Sequence, residues 1–159
     1  MIVPLYIRAR VKYVTMLFTV DTKLPQPPQA VYLGVVDVGY CVETQPFIPT
    51  AEDFNWPGEI PLDQQGRPIL PGRPEMDMLQ RYFDLCVSPV NCRAVDLGYR
   101  NFQWPGHITM DKPIVCRYTV TRVKARLGCW DMTWQAELVN GDGHPAVCYT
   151  FTQRWYHPG

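Results

Sequence analysis

The chain has 159 residues, 47% hydrophobic and 19% charged, the composition of an ordinary globular domain. Fifteen basic residues balance fifteen acidic ones, so no net charge draws it to nucleic acid or to an anionic membrane. No apolar run approaches the ~20 residues of a membrane span, and Arg8, Arg10 and Lys12 interrupt the apolar N-terminus where a signal peptide's core would lie.

Residues 1–22 read as extended, with Tyr6, Val11, Tyr13, Val14, Leu17, Phe18 and Val20 among polar neighbours. The proline-rich stretch Leu24 to Gln29 then breaks regular structure. Ala30 to Thr44 is again strand-like, with Gly34 and Gly39 as bends or bulges. Residues 45–71 carry six prolines and read as a long loop, a feature that is uncommon in compact domains and often functional. A helix is predicted over 73–87. Pro74 suits its first turn, and Glu75 and Asp77 suit the positive end of its dipole. Met76, Leu79, Phe83 and Cys86 form a stripe at helical spacing, widened by Met78, Tyr82 and Leu85. Ser88-Pro89 ends it.

Strands follow. Arg93–Phe102 is the first. Ile114–Val123 places Ile114, Cys116, Tyr118 and Val120 on one face. Cys129–Val139 places Trp130, Met132, Trp134, Ala136 and Leu138 on one face, with Asp131, Thr133, Gln135 and Glu137 opposite. Asn140-Gly-Asp-Gly143 is a hairpin turn, because Asn and Gly accept positive φ. The returning strand carries Val147, Tyr149, Phe151 and Trp155.

None of the six cysteines forms a C-x-x-C pair or stands near a histidine at zinc-site spacing. They read as reduced core thiols of a cytoplasmic protein, and no metal or cofactor is expected. The element order is strands, a long loop, one helix, then antiparallel strands, within one domain spanning 1–159. The simplest way for one helix to cover a sheet of that size is for the sheet to wrap around it, with other α+β sheets as the alternative. The expected class is therefore α+β: a hotdog fold, an antiparallel sheet around one central helix, with an edge strand that pairs two copies into a homodimer.

The segment Gly66-Arg-Pro-Ile-Leu-Pro-Gly72, followed by Asp77, resembles the bacterial 3-hydroxydecanoyl-carrier-protein dehydratase/isomerases and the dehydratase domains of fatty-acid and polyketide synthases. The resemblance continues through Arg93–Gly98, Phe102–Gly106 and Val139–Gly143, and covers roughly residues 60–155. It implies dehydration or double-bond isomerisation of an acyl thioester held on an acyl carrier protein. It also implies an acid at Asp77 and a carbonyl-binding backbone N–H beside Pro71 and Gly72. The family's histidine is missing, since no histidine precedes His107. Asp63 stands where that histidine falls, and Glu59 is the alternative in the longer loop.

Dehydration needs a base for the α-proton, an acid for the departing hydroxyl and donors for the thioester oxygen. Asp77 and Asp63 are the expected catalytic pair, with Gly72, Pro71 and His107 as substrate-binding residues. Asp77 also belongs to a polar stripe with Gln80, Arg81 and Asp84, which a purely solvated helix face explains as well. Three readings stay open: a dehydratase/isomerase, a thioesterase using Asp77 or Glu75 alone, and a non-catalytic acyl-binding or structural partner.

Overall fold

The computed structural model describes the backbone of residues 2–8, 13–19, 29–32, 36–70, 73–90 and 92–156, and the side chains of 36–70, 74–90 and 92–156. Most of the proline-rich stretch after residue 20, with Gly34, Pro71 and Gly72, lies outside the described residues.

Strands β1 (Ile2–Arg8) and β2 (Tyr13–Thr19) lie in the segment predicted to be extended, and they pair antiparallel with each other. Strand β3 (Gln29–Tyr32) pairs in parallel with β5 (Val87–Val90), which follows the helix directly. The main sheet is antiparallel with five strands. Its order is β4 (Cys41–Glu43), β7 (Val115–Arg126), β8 (Cys129–Val139), β9 (Pro145–Tyr156) and β6 (Arg93–Gln103). Tight turns join β7 to β8 and β8 to β9. The β8–β9 turn closes with Gly143 N–H donating to the Asn140 carbonyl at 2.9 Å, and Gly143 takes the positive φ of 82° that glycine accepts without strain.

Helix α1 (Arg73–Cys86) ends one residue earlier than its periodicity predicts, because Val87 already belongs to β5. Its apolar stripe is the one expected: Met78, Leu79, Tyr82, Phe83 and Cys86 are buried, and Met76 packs against the core from its edge. The sheet covers them with the inward faces of β7 (Cys116, Tyr118, Val120), β8 (Met132, Trp134, Ala136, Leu138) and β9 (Val147, Tyr149, Phe151, Trp155). Phe83 sits at the centre, edge-on to Tyr118, Trp134 and Phe151 with ring centroids 5.2, 5.0 and 4.9 Å away.

Tyrosine hydroxyls fasten the helix to the sheet. Tyr118 Oη donates to the Leu79 carbonyl at 2.5 Å, and Gln80 Nε2 donates to Tyr149 Oη at 2.6 Å. Such partners let phenols be buried without losing their hydrogen bonds. All six cysteines are free thiols, and Cys86, Cys116 and Cys129 are buried as small apolar groups. Among the described residues no helix is long and apolar enough to cross a membrane.

On the outer face Asp131 is gripped by two arginines. Arg154 Nε and Nη2 donate to its two oxygens at 2.6 and 3.0 Å, and Arg126 Nε donates at 2.5 Å. These bonds, Arg154's first, lower the Asp131 pKa to about 2 from 3.8. A lowered pKa means that the contact stabilises the fold above the unfolded value and is lost as pH falls through about 2. Asp131→Asn is therefore expected to cost on the order of 1 kcal/mol at neutral pH, discounted for solvent screening. Urea unfolding at neutral and strongly acidic pH checks this: the difference from wild type shrinks in acid.

Candidate active site at the start of the helix

The loop between β4 and α1 is pinned to the core at several points, although it has no long element of its own. Phe47 pairs with Ile114 across a single bridge. Asp53 Oδ2 accepts the Thr50 N–H at 2.7 Å, Asp53 Oδ1 accepts the Tyr82 hydroxyl at 2.5 Å, and Arg81 donates to the Asp53 carbonyl. Arg81 thus serves the loop. Farther along, residues 61–69 double back on themselves: Asp63 N–H donates to the Arg67 carbonyl at 2.8 Å and Ile69 N–H to the Pro61 carbonyl at 2.7 Å.

Asp63 holds this turn together. Its Oδ1 accepts the N–H groups of Gln65 and Arg67, each at 2.9 Å, and its Oδ2 accepts Arg67 Nε at 2.6 Å. The Arg67 backbone bond leads the causes that lower its pKa. A carboxylate stabilised in its charged form is a weak base. Its local geometry is that of a turn-forming aspartate.

Glu75 has the opposite environment. It stands half-buried in the first turn of α1, with Oε2 accepting the indole N–H of Trp104 at 3.1 Å. Burial pushes its pKa up, and the Trp104 hydrogen bond offsets only part of that rise. Trp104 also stacks on Phe102, at the end of β6, with ring centroids 6.3 Å apart.

A cleft of about 470 Å³ opens at this end of the helix. Glu75, His107, Asp63 and Arg67 supply its ionisable groups, and Trp104 joins them. Ile69, Leu70, Ile108, Ala146 and Val147 give it an apolar wall. His107 is exposed at the mouth, on a turn whose shape is fixed by Asn140 Nδ2 donating to the His107 carbonyl at 3.2 Å. Gly106 lets this turn pass close to β9, since a Cβ there would meet the Pro145 carbonyl oxygen at 3.1 Å.

The structure brings Asp63 and His107 to one cleft. Asp77 is not among the residues that line it: it is exposed, and its charge is felt by the Tyr149 hydroxyl on the neighbouring sheet. Two positions apart on a helix means about 200° of rotation, so Glu75 and Asp77 do not face the same way. Glu59 is exposed and also outside the lining. Pro71 and Gly72 lie outside the described residues. The sequence pattern gave Trp104 and Arg67 no role. The Trp104-Pro-Gly-His107 order hints at one only once the strand end is known to reach the helix start.

No protein-family model matches the sequence, and no curated protein matches it. Solved structures do match its fold. The monoamine oxidase regulatory protein from Archaeoglobus fulgius superposes with a TM-score of 0.63 at 14% identity, over 86% of this chain and 99% of that one. A MaoC-like dehydratase from Rhodospirillum rubrum gives 0.61 at 14% identity, over 81% and 99%. An (R)-hydratase from A. caviae involved in PHA biosynthesis gives 0.56 at 15% identity, over 79% and 99%. At such identities the likeness establishes the architecture, which is the hotdog fold.

Proposed function

We propose that this chain is a hotdog hydratase/dehydratase of acyl thioesters, with Glu75 and His107 as its acid–base pair. The observation that carries the proposal is a half-buried carboxyl of raised pKa at a helix start, in a cleft with an apolar wall that an imidazole also lines. The hydratase and dehydratase among the structural neighbours support the reaction class.

In the dehydration direction His107 takes the α-proton of a 3-hydroxyacyl thioester. The electron pair moves onto the thioester oxygen, where the free N–H groups of the first helical turn are the natural donors. Glu75, whose protonated form its partial burial favours, gives its proton to the β-hydroxyl. The C–O bond breaks, the C=C bond forms and water leaves. Proton return from His107 to Glu75 through solvent resets the pair. Asp63 and Arg67 shape the turn beside the pair, and Asp77, expected in the acid's role, yields that role to Glu75.

The likeness of the Pro68–Gly72 segment to carrier-dependent enzymes extends the proposal to an acyl chain delivered on a carrier protein, in fatty-acid or polyketide-type synthesis. Strand β6 is an edge of the sheet among the described residues, and its exposed Val95, Tyr99 and Phe102 support pairing of two copies. The six free thiols support residence in a reducing, cytoplasmic compartment.

Thioester hydrolysis is the second reading. It is favoured by Glu75 being a cleft carboxyl that, among the described residues, no arginine holds, in contrast to Asp63. One assay separates the two. With 2-enoyl- and 3-hydroxyacyl-pantetheine as substrates, the proposal predicts interconversion seen as loss or gain of enoyl absorbance, without release of thiol. Thiol release without interconversion assigns the cleft to hydrolysis, and neither signal across short and long chains overturns both.

A further inference from the structure

The balanced charge of the chain is unevenly spread. A shallow trough of about 480 Å³ crosses the outer face of the sheet, the face turned away from α1. Its floor is made of short side chains. Thr133 on β8 and Thr152 on β9 stand directly opposite each other with their hydroxyls 3.1 Å apart, and Gly98 on β6 faces Thr152. No atom lies within 4 Å of the place where a Gly98 Cβ would sit, so the floor stays open there. Its rim is cationic: Arg122, Lys124 and Arg126 alternate along β7, and Arg154 and Arg100 stand on the other side. Among the described residues Asp131 is the single acidic one in the lining, and it is held by Arg126 and Arg154. Arg100, Arg122 and Lys124 make no ion pair with any described residue.

We infer that this trough is a docking site for an acidic amphipathic helix of a protein partner. Four neighbouring strands span about 14 Å, enough for a helix about 10–12 Å across with its side chains. Alternate cations on β7 repeat every ~6.6–6.8 Å, close to the ~6 Å rise between carboxylates four residues apart on a helix. Leu97 within the trough and Leu127, fully exposed at the β7–β8 turn beside Arg126, offer apolar anchors that a bare phosphate does not use. Among the described residues no aromatic side chain lines the trough, so they offer no stacking platform of the kind found in a single-stranded nucleic-acid groove.

The test uses the full chain and a synthetic helical peptide with Glu at i and i+4 positions and Leu on the adjoining face, followed by fluorescence anisotropy. The peptide binds, binding weakens as salt rises, and Arg122→Glu/Lys124→Glu weakens it by about tenfold or more. Arg122→Gln/Lys124→Gln gives the same direction with a smaller loss, and serves if charge reversal unsettles the fold. Equal binding by wild type and both variants overturns the proposal, as does no binding at all. Phosphatidylserine vesicles, a single-stranded oligonucleotide and inorganic phosphate are run beside the peptide. Capture of any of these through Arg122 and Lys124 with no peptide binding also overturns it. The readout is independent of turnover in the cleft, so either conclusion stands or falls without the other.

Discussion

Glu75→Gln is expected to lower interconversion of 3-hydroxyacyl and 2-enoyl thioesters by ~10²–10⁴-fold, the usual loss for a positioned acid or base. The substitution keeps the shape of the side chain and a possible contact to the Trp104 indole, and removes only the transferable proton. Its effect on stability runs the other way. Burial raises the Glu75 pKa in the folded protein, so folding is favoured with the group protonated and loses stability as pH rises through the folded value. Glutamine carries no such loss, and the variant's melting temperature at neutral pH is expected to equal or exceed that of wild type. An inactive but undiminished fold is the signature to look for. Trp104→Phe removes the donor that partly stabilises the Glu75 carboxylate. The pKa then rises further, and the pH limb set by Glu75 moves upward in a kcat profile. A limb that stays in place in Trp104→Phe, or full activity in Glu75→Gln, removes Glu75 from the chemistry.

Phe83→Ala is expected to carry the largest stability loss, about 3–5 kcal/mol. Phe83 is 2% exposed and touches three further aromatic rings edge-on, from β7, β8 and β9. Removing it opens a cavity where helix and sheet meet and cancels those ring contacts, each worth about 0.5–1.5 kcal/mol beyond its area. A domain of this size has only about 5–15 kcal/mol to lose. The urea midpoint of Phe83→Ala should fall steeply, and that of Phe83→Leu, which refills most of the volume, much less. A loss below about 1 kcal/mol for Phe83→Ala contradicts this placement of the helix.

The architecture was legible because it rests on repeats of one period. The stripe through Leu79, Phe83 and Cys86 and the alternation of Cys116, Tyr118 and Val120 name their own buried faces. The hairpin at Asn140–Gly143 is local chemistry and reads directly from its residues. Short pairings were not legible: β3 with β5, and Leu62 with Pro68, depend on which segments tertiary packing brings together. The site was half legible. Asp63 was picked by resemblance, as the residue standing where the family's histidine falls, and His107 from its place in the Trp104–His107 turn, and both line the cleft. The helix acid was assigned to Asp77 by resemblance; we propose Glu75 in its place because Glu75 lines the cleft and Asp77 does not, a difference of helix rotation that no local pattern encodes. The Asp63–Arg67 contact lies at i,i+4 and its spacing was visible, yet only the turn's geometry shows that it saturates the carboxylate. The basic trough was hidden by the balanced total charge, since its cations come from three strands far apart in sequence.

The most direct test of the central claim is incubation of a 2-enoyl thioester with the protein in D₂O, followed by mass spectrometry of the product. The account predicts a 3-hydroxyacyl thioester carrying deuterium at its α-carbon, formed by wild type and lost in Glu75→Gln and His107→Ala. An unchanged enoyl thioester, or a free acid without α-deuterium, contradicts it.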